Sequence, residues 1–263
     1  MIRSGRRRLP WQITGLLLAL GCAGCVTNTG RVFTDAPEPQ KALERRVELA
    51  RNYIGEGDWD NAKRNLAQAA AIDGSNAEVH EAFALVYQST GEKELAEESF
   101  RKAIRLNRKF SRARNNYAAF LFAEQRYQEA ERELEQVVQD PLYTARPRAY
   151  MNLGLCRLQL DKPREAEQAF SRALSMDRTN TVALLEMAIL RYDAGDYSAA
   201  GRYYGVYRTA VRRQSARGLW LGIRLAQATG DRNAEGSYVL ALGSLYPDSP
   251  EYREFLQARQ DGK

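Results

Sequence analysis

The sequence repeats itself with a period of about 34 residues along most of its length. Alanines followed four positions later by an apolar residue recur with spacings of 34, 34, 36, 34 and 34 residues; they are Ala62, Ala96, Ala130, Ala166, Ala200 and Ala234. A fixed period of roughly 20 to 50 residues is the signature of a stacked solenoid, because one unit cannot bury its apolar face alone. The chain is therefore expected to fold as a linear array of similar units.

Each unit has the pattern of two helices. Proline is rare after about Ala42, and strong helix formers such as Ala, Leu, Glu, Arg and Gln dominate. In the fourth unit Gly154, Ala166 and Ala173 are small enough for two helix backbones to approach, while Phe170 fills space between units. This pattern resembles the tetratricopeptide repeat, a helix-turn-helix unit of about 34 residues. The resemblance implies an all-α, right-handed superhelical solenoid of about six repeats.

We place the repeats by this register and expect a capping helix from about residue 249 to 260. The repeats span residues 43–76, 77–110, 111–144, 147–180, 181–214 and 215–248. Two extra residues fall near Asp140-Pro141-Leu142-Tyr143, where proline stops a helix.

The first 25 residues have the composition of an export signal. Four arginines within the first eight residues precede an apolar segment, Trp11–Leu20, which is too short to span a bilayer comfortably. Small residues then precede Cys22 and Cys25 in a pattern that resembles a bacterial lipobox. The Ala23-Gly24 pair favours Cys25 as the acylated residue, although neither cysteine has leucine three positions before it. The alternatives are an ordinary cleaved signal peptide or a short membrane anchor.

These features divide the chain into three parts. We expect a lipoprotein signal peptide at residues 1–24, an acylated N-terminus with a flexible tether at 25–41, and the repeat domain with its capping helix at 42–263. Removing the signal peptide removes four of the 39 basic residues and leaves 35 against 33 acidic ones, so the formal charge falls from +6 to +2. Nucleic acid is therefore not an expected partner.

The sequence offers little for catalysis or metal binding. His80 is the only histidine, and Cys156 is the only cysteine besides the N-terminal pair. A metal site, a histidine-based triad and an internal disulfide are therefore not expected, and Cys156 is predicted to be a core residue. Acidic pairs such as Glu97-Glu98 suit solvated helix faces better than acid–base chemistry. We expect no enzyme activity, no cofactor, no metal and no small-molecule substrate.

A stacked helical array offers a concave groove, lined by positions 2, 5, 6, 9, 12 and 13 of the first helix in each repeat. In repeats three to five this register selects the candidate partner-binding residues; they are Arg112, Asn115, Asn116, Arg148, Met151, Asn152, Leu155, Leu185, Ile189 and Tyr192. Asn116 and Asn152 hold position 6. Their amides can bind a peptide backbone or, equally, satisfy polar groups of neighbouring helices.

The later repeats give this groove an apolar end. Leu185, Ile189 and Tyr192 are continued in repeat six by Leu219 and Ile223. Such a surface suits an amphipathic helix or an extended apolar peptide. The alternative is that the superhelix, or the C-terminal helix folding back, buries these side chains.

Several segments are not required by the repeat pattern; they include GCVTN, NNYAAFLF, DPLY, NLGLC, ALLEMA, LGIRLA and LYPDS. With them the chain resembles the type IV pilus biogenesis and stability lipoprotein family, PilW or PilF, from Cys25 to about Phe255. The resemblance implies acylation of Cys25, with Val26 as the residue that sorts the lipoprotein to the periplasmic face of the outer membrane. It also implies a pilotin that binds the secretin subunit of the type IV pilus and helps it localise and multimerise.

Period and composition alone leave a second function open. A tetratricopeptide-repeat lipoprotein can equally serve as a scaffold for another envelope process, such as outer-membrane protein assembly or the recruitment of a cell-wall enzyme.

Overall fold

The computed structural model describes residues 38–260, which contain thirteen α-helices and no β-strand. Twelve helices form six consecutive pairs, and one further helix follows the last pair. The pairs are α1 (Pro39–Glu56) with α2 (Trp59–Ile72), α3 (Ala77–Ser89) with α4 (Lys93–Leu106), α5 (Ser111–Ala123) with α6 (Tyr127–Val137), α7 (Arg146–Gln159) with α8 (Pro163–Met176), α9 (Thr181–Asp193) with α10 (Tyr197–Ala210), and α11 (Ala216–Thr229) with α12 (Arg232–Leu245); α13 spans Pro250–Gln260. The predicted all-α fold of six tetratricopeptide repeats is confirmed.

Turn and capping residues set the helix ends. In four repeats the turn between the paired helices contains a glycine with φ between 73° and 82°; these are Gly57, Gly91, Gly195 and Gly230. Glycine enters this left-handed region without steric cost. Asp58, Asp196 and Asp231 then cap second helices, each accepting a hydrogen bond from the backbone N–H three residues later.

The connection between repeats three and four differs from the others. Helix α6 has 11 residues where the other second helices have 14, and residues 138–145 separate it from α7. Pro141 lies in this connection, where the sequence predicted that the helix stops. Ser111 Oγ donates to the Asp140 carboxylate at 2.5 Å, and Arg146 Nε donates to the Val138 carbonyl at 2.8 Å, so the longer connection is held in place.

The core is built from the residues that define the repeat. The alanines of the first five repeats are completely buried; they are Ala62, Ala96, Ala130, Ala166 and Ala200. The equivalent Ala234 in repeat six is only half-buried. Within residues 38–260, α13 follows repeat six in place of a further helix pair and packs against α11. The capping helix therefore completes the core at this end.

The first helices of the repeats form an inner row. Each odd-numbered helix from α1 to α11 packs against the next odd-numbered one, whereas no two even-numbered helices pack together to a comparable extent. Since the even-numbered helices are splayed apart, the stack curves away from them. The odd-numbered helices therefore line the concave side.

A half-buried ion-pair cluster links repeats three and four. Glu131 on α6 accepts from Arg157 Nε at 3.1 Å and from Lys162 Nζ at 2.7 Å. Burial alone would raise the pKa of the Glu131 carboxyl, but the hydrogen bonds from Lys162 and Arg157 lower it below its ordinary value of 4.5. The pKa of Glu131 is lower in the folded state than in the unfolded state. The cluster therefore stabilises the fold fully above the unfolded-state pKa, and this contribution is lost as the pH falls through the lower, folded-state pKa.

Glu131→Gln is therefore expected to lower the stability at neutral pH and to weaken its decline on acidification. Denaturant unfolding at a series of pH values from about 7 to 3 measures both effects. Glu98→Gln is the matched control, since Glu98 is exposed and has no ion-pair partner among residues 38–260. If Glu131→Gln left the loss of stability on acidification unchanged, the Glu131 ion pairs would not be its source.

Candidate functional site

The inner row of helices is the candidate protein-binding face. All ten groove residues predicted from the sequence lie on its helices α5, α7 and α9. The site is therefore a long surface, and its chemistry depends on which side chains remain accessible along it.

Position 5 of the first helix is a contact between repeats, which corrects two of the predicted groove residues. Asn115 and Leu185 occupy this position and are only 3% and 7% exposed. The equivalent residues Val47, Glu81 and Leu219 are buried as well. Position 5 faces the neighbouring first helix, so close packing of the inner row covers it. Asn115 and Leu185 therefore support the groove from beneath, and only Met151 remains half-exposed at this position.

A buried carboxylate that the sequence did not single out organises the groove in repeats one to three. Glu81 on α3 is fully buried and pairs with Arg51 of α1 at 2.5 Å. It also accepts a hydrogen bond from Asn116 Nδ2 at 2.7 Å, while Arg112 Nε lies 3.7 Å from it. A buried charge is tolerated only when it is paired and hydrogen-bonded. The sequence did contain a signal for this ion pair: Glu81 is a charged residue at position 5, where the other five repeats have uncharged residues.

The two position-6 asparagines satisfy neighbouring helices. Asn116 donates to Glu81, and Asn152 Nδ2 donates to Asn115 Oδ1 at 3.3 Å. Of the two interpretations that the sequence left open, these contacts match the structural one. An amide has two N–H donors and a carbonyl acceptor. Each of these contacts uses one N–H donor of the asparagine, so only its second N–H and its carbonyl oxygen could bind a ligand's backbone. That role stays a prediction.

The middle of the groove has two shallow depressions. One, of about 90 Å³, lies between α5 and α7 and is lined by Phe122, Asn152 and Leu155. The other, of about 590 Å³, lies between the starts of α7 and α9 and is lined by Arg148 and Met151. The fold thus gathers four of the predicted residues, Arg148, Met151, Asn152 and Leu155, around one short stretch of the inner face.

The fold itself covers part of the predicted apolar end. Leu219 and Ile223 of α11 pack in one cluster with Phe255 of α13 and are 3% and 0% exposed. The alternative in which the C-terminal helix buries them is therefore the correct one. Ile189 and Tyr192 on α9 remain half-buried, and Tyr192 borders a cleft of about 800 Å³ between α11, α12 and α13.

Cys25 and Val26, the predicted acylation and sorting residues, lie outside the described residues 38–260. Their roles stay predictions. Within the described residues, no helix combines the length and the apolar character that crossing a membrane requires.

Reactive groups are few in this part of the chain. Cys156 is buried in the core, as predicted, and burial raises the pKa of its thiol to about 12. A protonated, buried thiol is a poor nucleophile. From Glu38 to Gln260 no group of three or more His, Cys, Asp or Glu side chains is placed to hold a metal ion. What this region does present is a helical surface suited to binding another protein.

Comparison with known proteins supports the same interpretation. The tetratricopeptide-repeat family models match residues 77–110 and 147–180, the second and fourth repeats. The type IV pilus assembly protein PilF of Pseudomonas aeruginosa is 40% identical over 241 residues, which is 91% of this chain and 95% of that protein.

Two solved structures match most of this chain. A Pseudomonas aeruginosa PilF structure superposes with a TM-score of 0.81 at 39% identity, covering 84% of this chain and 100% of that one. PilW, described as a widely conserved type IV pilus biogenesis factor, superposes with a TM-score of 0.71 at 26% identity over the same shares. With identity at this level along nearly the full length of both chains, the protein belongs to the family of the type IV pilus assembly protein PilF.

Proposed function

We propose that this protein acts in type IV pilus biogenesis as an outer-membrane lipoprotein that binds the secretin subunit and promotes its localisation and multimerisation. The observation that carries the proposal is the 40% identity to PilF over 95% of that protein's length. The match covers 91% of this chain, far more than the one or two repeats that a generic likeness would cover.

The lipid and the repeats have separate tasks in this mechanism. Acyl chains on Cys25 hold the protein at the periplasmic face of the outer membrane, with Val26 as the sorting residue. A single acyl chain binds membranes only marginally, whereas the several chains of a mature lipoprotein anchor it stably. The segment between Cys25 and α1 then separates the membrane from the repeats, which hold the partner.

The accessible part of the inner face is the expected contact region for the secretin subunit. Asn152, Leu155, Ile189 and Tyr192 are half-buried there and lie on the adjacent helices α7 and α9. They combine apolar area with an amide that can pair with a peptide backbone. Asn115 and Leu185 are covered by neighbouring helices and are not expected to touch the partner.

Deleting the gene is expected to reduce secretin multimers in the outer membrane, and restoring it to recover them. Heat-resistant multimers on denaturing gels and twitching motility measure this effect. Normal multimers in the deletion strain would contradict the proposal and favour a repeat scaffold for another envelope process.

A photocrosslinking amino acid at Asn152 or Ile189 tests the contact region separately. We expect crosslinks from both positions to the secretin subunit, because both are accessible on the inner row. Gln168 is the matched control, since it is exposed on the outer helix α8. Equal crosslinking from Gln168 would mean that the inner face is not the binding surface.

A further inference from the structure

The cleft between α11, α12 and α13 combines aromatic walls with a positive rim. It has a volume of about 800 Å³, and its lining includes Trp220 and Arg224 of α11, Arg232 of α12 and Arg259 of α13. Trp220 packs edge-on against Phe255 with ring centroids 6.3 Å apart, so α13 fixes one wall of the cleft.

Arg224 is held in this cleft by aromatic rings and not by hydrogen bonds. Its guanidinium lies 4.6 Å from the ring centroid of Tyr192 and 5.8 Å from that of Trp220. Such cation–π contacts orient a guanidinium without using its N–H donors. Its polar contact is an ion pair at 3.7 Å with the exposed Asp193, which is too long for a direct hydrogen bond, and its Nε has no hydrogen-bond partner among residues 38–260.

The other two arginines have no acidic partner of their own. Arg232 and Arg259 are exposed and form no ion pair with any residue from 38 to 260. The cleft is also lined by one carboxylate, that of Glu235, which accepts a hydrogen bond from Gln227 at 2.8 Å. Three guanidinium groups thus stand against the Glu235 carboxylate in the lining and the Asp193 carboxylate beside Arg224, so the cleft carries a local excess of positive charge.

We propose that this cleft binds a protein segment that carries two or more carboxylates beside an aromatic or apolar side chain. Guanidinium groups pair with carboxylates through parallel N–H donors, which suits Arg224, Arg232 and Arg259. Trp220 and Val239 give the apolar side chain a partly buried surface to pack on. The inference deepens the proposed function. It rests on that function only for the process in which the partner acts, and not for the binding itself.

This occupant differs from the one that the sequence pattern suggested for the C-terminal end. The apolar residues Leu219 and Ile223 are covered by Phe255, so a purely apolar peptide finds little surface there. The arginines come from three consecutive helices, α11, α12 and α13, and only the packing of these helices brings them to one cleft. The acidic preference is therefore a property of the assembled cleft.

The test uses the full-length protein in detergent micelles and a panel of fluorescein-labelled hexapeptides. Each peptide has two Asp or Glu residues flanking Trp, Phe or Leu, and each has a counterpart in which Asn or Gln replaces the acids. Fluorescence anisotropy is expected to show at least one acidic peptide binding about tenfold more tightly than its amide counterpart, with affinity falling as salt is added.

The double variant Arg232→Gln, Arg259→Gln is expected to bind the acidic peptide about tenfold more weakly. Both side chains are exposed, so the fold is not at risk. Arg172→Gln on α8 is the control, because it removes an exposed arginine far from the cleft in sequence. Equal affinity for acidic and amide peptides would overturn the inference, as would an equal loss in the Arg172→Gln protein.

Secretin multimers separate this inference from the proposed function. If the double variant loses peptide binding but still supports multimers, the cleft remains a binding site for an acidic segment of a different partner. If the gene deletion leaves multimers normal, the proposed function fails. The peptide measurement then still shows whether the cleft binds acidic segments.

Discussion

Replacing Gly154 by alanine is expected to lower the free energy of unfolding by about 1–3 kcal/mol, although alanine is the better helix former. A Cβ at this position would lie 2.4 Å from Cε1 and 2.7 Å from Cδ1 of Phe170. The Phe170 ring is fully buried between α7 and the next repeat, so it has no space into which to move. Urea unfolding of the purified protein measures the loss.

Phe170 decides the sign of this effect, so a double-mutant cycle tests it sharply. Phe170→Ala alone is expected to cost about 3–5 kcal/mol, because it leaves a cavity in the core. In that background Gly154→Ala should no longer destabilise, since the ring that it would meet is gone and the added methyl group fills part of the cavity.

Gly201→Ala on α10 is the matched control for the glycine substitution. Nothing lies within 4 Å of a Cβ built there, so the change should stabilise the protein by about 0.5–1 kcal/mol. If Gly154→Ala proved as harmless as Gly201→Ala in the wild-type background, the close approach of α7 to the Phe170 ring would be disproved.

Cys25→Ala is expected to release a folded protein from the outer-membrane fraction and to abolish its support of secretin multimers. The repeats from Pro39 onward form a compact unit of their own, so losing the acyl chains should leave the helical content and thermal unfolding unchanged. Sucrose-gradient fractionation and circular dichroism measure the two effects. A Cys25→Ala protein that still fractionates with the outer membrane and still supports multimers would contradict the proposed mechanism.

Cys22→Leu decides between the two cysteines. If Cys25 is acylated, this change places the usual leucine three residues before it, so anchoring should be kept or improved. If Cys22 is the acylated residue, the same change removes the anchor. Mass spectrometry of the mature N-terminus identifies the modified cysteine directly in both proteins.

The repeat architecture could be read from the sequence because it depends on local periodicity. Alanines such as Ala62 and Ala166 recur in register since every repeat packs on the next in the same way, and both are completely buried. The proline near residue 141 marked the longer connection for an equally local reason, since proline cannot continue a helix. Cys156 was predicted to lie in the core, where its thiol is buried.

The accessible face of the groove could be predicted only in part. Register placed all ten candidate residues on first helices of the repeats, but it could not show that position 5 turns toward the neighbouring first helix. Asn115 and Leu185 are buried for that reason, and Glu81 forms its ion pair with Arg51 there. These contacts depend on the distance between successive repeats, which sequence spacing does not contain.

The sequence by itself determined the number of repeats, their helices and the residues that pack between them, because these follow from a 34-residue period and from helix and turn propensities. Only the tertiary structure decided which side chains remain accessible. It folded Phe255 of α13 over Leu219 and Ile223, and it brought Arg224, Arg232 and Arg259 to one cleft. The physical reason is that burial and charge clustering depend on how the helices pack in three dimensions, whereas a sequence period gives only the spacing of residues along the chain.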